Sequence, residues 1–259
     1  LASYNEAIRE NMILAFEHLS HNNPRMKFER TLTACRVETD IPYPIFNRVF
    51  DYQASKEIDV AEDVKAIADS YHKRRMKCSW HIYSHDRDEA VIEALHANAF
   101  VNVGSMSGMS LSLEGRAIKN AEVPGLQIRT IHTNEELEIF KQVFIAEYQL
   151  TDEVAEAATR IFAYDQERKS TRYYLGYLNE MPVSTLMTFS QGDVSGIYTV
   201  ATLQEFRSRG IGGAIVAHAL RDIHASGAKQ AILQASSMGQ SIYRKLGFEE
   251  EITIDVYSG

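Results

Sequence analysis

The sequence predicts an α+β fold, a mixed sheet flanked by helices, on three observations. Helix-period apolar runs alternate with short strand-like runs along the whole chain. Late in the chain RYYLGYL, PVSTLMTFS and VSGIYTVAT are joined only by the turn sequences NEMP and QGD, links short enough to make an antiparallel meander. A helix, a strand, a second helix and a last strand follow, so the same sheet also carries a crossover, right-handed if its two strands are parallel neighbours.

The elements follow in order. Tyr4 to Leu19 reads as a helix stopped by Ser20 and the HNNP cluster. FERTLTACRVE and FNRVFDYQ read as extended, Asp59 to Arg75 as a helix capped by Asp59, CSWHIYS as a strand, Asp86 to Ala97 as a helix and GMSLSLE as a strand. The polar stretch EGRAIKNAEVPGLQ, with its Pro-Gly pair, is the best internal boundary and places a division near Val123. Beyond it LQIRTI reads as a strand. TNEELEIFKQVFIAEY is an amphipathic helix with Leu137, Phe140, Phe144 and Ile145 on one face; Thr133 or Asn134 caps it, with Glu135 or Glu136 to complete a capping box. TDEVAEAATRIFAYD is a further helix, and the meander comes next. After the meander stand the stretch FRSRGIGGAIVAHALRDI, strand AKQAILQAS, helix GQSIYRKLGF and strand EITIDVY.

Bulk properties bound the function. A chain of 259 residues suits one large domain or two of about 120 to 130 residues. With 45% hydrophobic and 24% charged residues it matches a water-soluble globular protein able to build a core. A net charge of −8 argues against nonspecific nucleic-acid binding, which rests on phosphate neutralisation by Lys and Arg, and is compatible with cationic substrates. Cys35 and Cys78 have no zinc-like spacing; they read as small buried apolar residues and favour a reducing, cytoplasmic setting. The first residues mix charge with helix-spaced apolar residues, so no secretory or membrane segment is expected, and Leu1 in place of Met reads as a chain trimmed, processed or incomplete at that end, its true start open.

FRSRGIGGAI carries the chemistry. Glycines ahead of a helix and flanked by arginines suit a bound anion, because the first helical turn has partnerless N–H groups and a partial positive charge. The P-loop pattern fails because no Lys follows the glycines, and the dinucleotide pattern fails because Ile215 stands at its third glycine. What fits is R-x-x-G-x-G at Arg207, Gly210 and Gly212. It resembles the pyrophosphate loop of the GNAT superfamily of N-acetyltransferases, and SSMGQSIYRKLGF is similar to that family's later helix, with Ser236, Gly239, Tyr243 and Gly247-Phe248 at its marked positions. Ser236 stands where the family has Asn, Gly239 where it has Ala.

The resemblance covers about Leu126 to Tyr257 and implies acetyl-CoA as co-substrate. It implies diphosphate contacts from Arg207, Ser208, Arg209, Gly210, Ile211, Gly212 and Gly213, and backbone contacts to the pantetheine arm from Val200, Ala201 and Thr202, where a bulge splays two strands. Ser236 belongs to the same cofactor site, and Tyr243 matches the tyrosine that protonates the departing thiolate. No metal is implied. The acceptor is a primary amine of a small molecule or peptide, neither nucleic acid nor membrane. Glu147, Asp152, Tyr198 and His218 are general-base candidates by residue type alone. An acyl-CoA-binding regulatory or scaffold module without turnover is the alternative.

Residues 1–122 resemble the degenerate first domain of tandem GNAT proteins, with IFNRVF, CSWHIY and an LHANAF that echoes YRKLGF; residues 123–259 form the second. No R-x-x-G-x-G occurs before residue 115, so the first domain is expected to bind no acetyl-CoA. The run His72 to Lys77 reads as the solvated end of a helix or as a docking patch, and Trp80 as core or inter-domain packing.

Overall fold

The computed structural model describes residues 4–21, 23–119, 121–151, 154–155, 162 and 170–259. The chain divides into two compact units, the first made of residues 1–12 and 108–251, the second of residues 13–107 and 252–259. The division expected near Val123 therefore falls inside the first unit, and the last strand leaves the C-terminal half of the sequence for the second.

In the second unit the strands are β1 (Met26–Arg30), β2 (Cys35–Thr39), β3 (Arg48–Phe50), β4 (Ser79–Tyr83) and the end of β11 (Glu249–Ser258), in the order β1-β2-β3-β4-β11. Pairing is antiparallel except for β3 with β4, which the helix α2 (Val60–His72) separates in sequence. The FERTLTACRVE segment is a hairpin, not one strand. Thr31 turns the chain by donating its N–H to the Ala34 carbonyl at 2.8 Å and accepting the Ala34 N–H on its side chain at 3.0 Å. Asp59 caps α2 as expected, its carboxylate accepting the amides of Ala61 and Glu62. The next helix, α3 (Glu89–Ala97), starts later than expected because Asp88, not Asp86, accepts an amide of its first turn.

Trp80 is core of this unit, fully buried against Tyr52 at 5.3 Å and Phe100 at 6.2 Å between ring centroids. Both cysteines are buried and outside any disulfide. Within the basic run, Arg74 pairs with Glu38 at 3.1 Å and the His72 ring lies against Phe100.

The first unit orders its strands β5-β10-β9-β8-β7-β6: β5 (Val101–Ser112, longer than GMSLSLE), β6 (Leu126–Thr130), β7 (Thr171–Leu178), β8 (Met181–Gln191), β9 (Val194–Thr202) and β10 (Gln230–Ala235). The meander is antiparallel and β10 runs parallel to β9, as the crossover requires. Helix α4 (Asn134–Tyr148) opens on the capping box of Thr133 and Glu136. It lies on one face of the sheet, where Phe140 meets Tyr173 at 5.2 Å; α5 (Ile211–Ala225) lies on the other, where His218 meets Tyr174 at 6.0 Å. Adjacent strand residues point to opposite faces, so these two tyrosines define three layers. The core under α5 gathers Leu186, Ile197, Ile215, Val216 and Leu220. The short α6 (Gln240–Leu246) follows β10, and α1 (Tyr4–His21) opens the chain. The helix expected over TDEVAEAATRIFAYD lies mostly outside the described residues.

His81, on β4, is buried edge-on to Phe50, and burial with Arg48 nearby drops its pKa to about 3. It is neutral in the fold, so its contribution to stability is complete above its unfolded pKa of about 6.5 and drains away as pH falls toward 3. Replacing it by His81→Leu is expected to remove roughly 2 kcal/mol of the loss in unfolding free energy between pH 7 and pH 5, read from urea titrations of both proteins. Parallel pH dependences in the two would refute that assignment.

Candidate functional site

The site begins where two strands stop pairing. β9 and β10 keep register from Val194↔Gln230 to Ile197↔Leu233, and no pair follows although β9 runs on to Thr202. On its other side β9 carries a bulge. Thr185 pairs Ala201 while Met187 pairs Tyr198, so β9 spends an extra residue. The bulge is sharp, since Thr199 takes φ +49, a left-handed conformation costing a β-branched residue on the order of 1–3 kcal/mol. Two fully buried hydroxyls hold it: Thr185 donates to the Thr199 carbonyl at 3.0 Å and Ser184 to the Ala201 carbonyl at 2.6 Å. Val200, Ala201 and Thr202 thus lie along the parting. The Ala201 carbonyl is engaged by Ser184 and the Thr202 carbonyl by Arg207 Nε at 3.2 Å.

Next comes the glycine loop. Leu203 donates to the Val183 carbonyl, a single turn covers Gln204–Phe206, and the chain then enters α5 through Ser208 at φ +61 and Gly210 at φ +80. Among the described residues, the amides of Ser208, Arg209, Gly210, Ile211, Gly212 and Gly213 donate to no protein acceptor; the first to do so is Ala214, to Gly210 at 3.0 Å. Only Gly210 needs its missing side chain for backbone reasons. At Gly212 and Gly213 an added Cβ would meet Ile242 and Thr202 no closer than 3.6 Å, so packing alone does not demand glycine there. A nest of N–H groups at a helix start, bare of side chains where folding does not require it, fits a diphosphate.

Arg207 forms an ion pair with Glu147 at the end of α4, and Arg209 donates to the Glu205 carbonyl at 3.1 Å while stacking over Phe206. Each guanidinium has a protein partner yet keeps N–H donors beyond those bonds, so the arginines and the bare backbone amides border the loop together.

Ser236 is exposed just beyond β10, its carbonyl accepting the amides of Gly239 and Gln240. Tyr243 on α6 is 8% exposed and edge-on to Phe248. Burial, helped by the neighbouring Tyr148, pushes its pKa up to about 12, which keeps the phenol protonated. Gly239 has a packing reason: a Cβ there would fall 2.9 Å from the Tyr243 ring.

The base candidates separate. Glu147 is tied to Arg207, and Tyr198 donates its hydroxyl to Asn11 at 2.7 Å. His218 sits on the flank of α5, its pKa lowered by burial and by Arg221 against the opposing pull of Asp222. It lines a cavity of about 610 Å³ with Glu122, Val123, Pro124, Leu126 and Arg221. Asp152 lies outside the described residues. Sequence reasoning missed Asn11, Tyr148, Ser184 and Thr185; nothing in a polar residue on α1, or in a Ser-Thr pair within a strand, marks it as holding a side chain or a carbonyl of the distant strand β9.

A second helix start offers the contrast. In the other unit α2 also follows a strand and precedes its parallel partner, but its first turn holds Glu62 and Asp63 and its amides are taken by Asp59. An internal anion occupies the place an external one would take.

Residues 127–250 match the family model described as an acetyltransferase (GNAT) domain. Among solved structures, a GCN5-related N-acetyltransferase from Kribbella flavida is similar at 16% identity, with 97% of this chain and 95% of that one covered and a TM-score of 0.68. A GCN5-related N-acetyltransferase from Sphaerobacter thermophilus is similar at 10% identity, 100% and 93% coverage and TM-score 0.67. A tandem GNAT protein from the clavulanic acid biosynthesis pathway is similar at 10% identity, 98% and 95% coverage and TM-score 0.60. At these identities the likeness is one of fold. No curated protein matches.

Gly239→Ala is expected to lower the unfolding free energy by roughly 1–3 kcal/mol, because the Tyr243 ring must leave its packed position. Chemical denaturation measures it; an unchanged midpoint would mean that the ring is not packed against that backbone.

Proposed function

Residues 127–250 match the acetyltransferase (GNAT) domain model, and on that match we propose that the chain is an acetyl-CoA-dependent N-acetyltransferase acting on a primary amine of a small molecule or peptide. The observation that carries the reading is the row of six partnerless amides from Ser208 to Gly213, set beside strands that have parted. These amides, with the dipole of α5, would hold the diphosphate, and the backbone around Val200 would meet the pantetheine arm. Bound acetyl-CoA supplies an acyl group activated as a thioester. Tyr243 is the residue with a proton to give to the leaving sulfur, since its pKa of about 12 keeps that proton in place throughout the physiological range. Excluding water is the work of the packed rings around Tyr243 and Phe248.

Arg207 would meet an arriving diphosphate only by loosening its hold on Glu147, an exchange of one anion for another at the same guanidinium. The second unit takes no cofactor in this reading, because Asp59 already fills its helix start. No helix among the described residues is long and apolar enough to cross a membrane, and no group of His, Cys, Asp and Glu there could hold a metal ion. We place the protein's work in the cytoplasm, a setting that suits two buried cysteines outside any disulfide.

Three outcomes test the reading. Gly212→Ala leaves the fold intact, since the neighbours of the added Cβ stand at van der Waals distance, and weakens acetyl-CoA binding by at least about tenfold in calorimetry. Unchanged affinity in that variant would contradict the cradle. Tyr243→Phe lowers kcat by about tenfold or more while the acetyl-CoA Kd stays within about twofold, followed by thiol release. For the wild type, the rate shows no falling limb between about pH 8 and pH 10 from loss of the donor proton, because the phenol titrates near 12.

A further inference from the structure

We propose that Tyr198 is the side chain that receives the acceptor amine, and that Asn11, from the opposite end of the sequence, is the positioning residue that sets which way its hydroxyl faces. The inference rests on the acetyl-transfer reading and supplies the acceptor contact that reading leaves open.

Tyr198 is the first residue of β9 beyond the last pair with β10 and stands immediately before the left-handed Thr199. Its phenol is therefore carried on the backbone that lines the parting. Ile197 packs in the core under α5, so strand alternation sends Tyr198 out of the other face, away from the helix whose start forms the cradle. The phenol and the helix start that forms the cradle are therefore presented from opposite faces of the strand.

The hydroxyl is held by a built arrangement. Tyr198 donates to Asn11 Oδ1 at 2.7 Å, and Asn11 is 4% exposed. Gly196, two residues earlier on the same face, leaves the room: a Cβ there would fall 2.2 Å from Asn11 Oδ1 and 2.4 Å from the Tyr198 side chain. The same helix is tied to the other lip of the gap, where Gln234 of β10 donates to the Ile8 carbonyl at 3.3 Å. α1 thus grips both strands near the point where they cease to grip each other.

The chemistry follows from proton inventory. A phenol has one proton and acceptor lone pairs. With the proton committed to Asn11, the oxygen meets a ligand as an acceptor. A primary amine brings N–H donors and needs its own lone pair directed elsewhere, at an acyl carbon. An N–H given to Tyr198 orients the nitrogen without consuming that lone pair. Tyr198 acts by holding, not by removing the proton, so the pH dependence of kcat does not follow it.

The experiment uses the full chain with acetyl-CoA and a panel of putrescine, ethanolamine, an amino-acid amide and a lysine-containing peptide. Tyr198→Phe, Asn11→Leu and Asn11→Asp are compared by amine KM, kcat and its pH profile, and by acetyl-CoA Kd from calorimetry. Tyr198→Phe and Asn11→Leu are expected to raise amine KM at least about tenfold, with acetyl-CoA Kd within about twofold and the pH profile unmoved. Asn11→Asp keeps an accepting oxygen and is expected to return KM to within about threefold of wild type. Tyr198→Phe removes a single oxygen, so it serves where Asn11→Leu is poorly folded. The proposal is overturned if Tyr198→Phe leaves amine KM unchanged, if Asn11→Asp behaves like Asn11→Leu, or if wild type binds acetyl-CoA yet acetylates nothing in the panel. A wild-type protein that binds no acetyl-CoA at all sinks the acetyl-transfer reading first, a result distinct from the other three.

Discussion

The first unit depends on a failure of pairing. Two parallel strands that begin in register at Val194 and Gln230 separate after Ile197 and Leu233. Unpaired main chain inside a sheet is costly unless something pins it open. Here the pins are local and specific: Thr199 turns left-handed, Ser184 and Thr185 take two of the carbonyls that the bulge displaces, and α1 ties to both lips. Strain held by surrounding bonds at such a place is what a binding gap requires, because the backbone there must stay available to something other than its neighbour strand.

What the parting exposes, the loop after it complements. β9 ends at Thr202, and within eleven residues the chain has turned into α5 with its first amides unclaimed. Those amides, with the N–H groups that Arg207 and Arg209 do not spend on Glu147, Thr202 and Glu205, are the unclaimed donors of the loop. Arg207 spends its charge on Glu147 and on the Thr202 carbonyl, so it braces the loop against α4 and the end of β9.

The two units share a plan of antiparallel strands closed by a parallel pair with a helix between, yet they treat the helix start in opposite ways. One presents glycines and bare N–H groups. The other presents Asp59, with Glu62 and Asp63 in the following turn. The difference is a few residues, and it separates a helix that can accept an anion from one that has supplied its own.

Periodicity and turn chemistry made most of the elements readable from the residues, because each is decided within a short window: the meander by its short links, α2 by Asp59, α4 by its capping box, the cradle by glycines ahead of an apolar helix. The hairpin at Thr31 and the late start of α3 were missed by a few residues, since competing caps lie side by side in the sequence. Other features were beyond that window altogether. The division of the chain into units, the passage of the last strand into the second unit, the pairing of Arg207 with Glu147 and the meeting of Asn11 with Tyr198 all join residues far apart in sequence. Local sequence determined which segments are helices and strands and where a helix opens on glycines with bare amides. Only tertiary packing decided which distant side chains face the gap, because those contacts are fixed by strand order and sheet face, quantities no single segment carries.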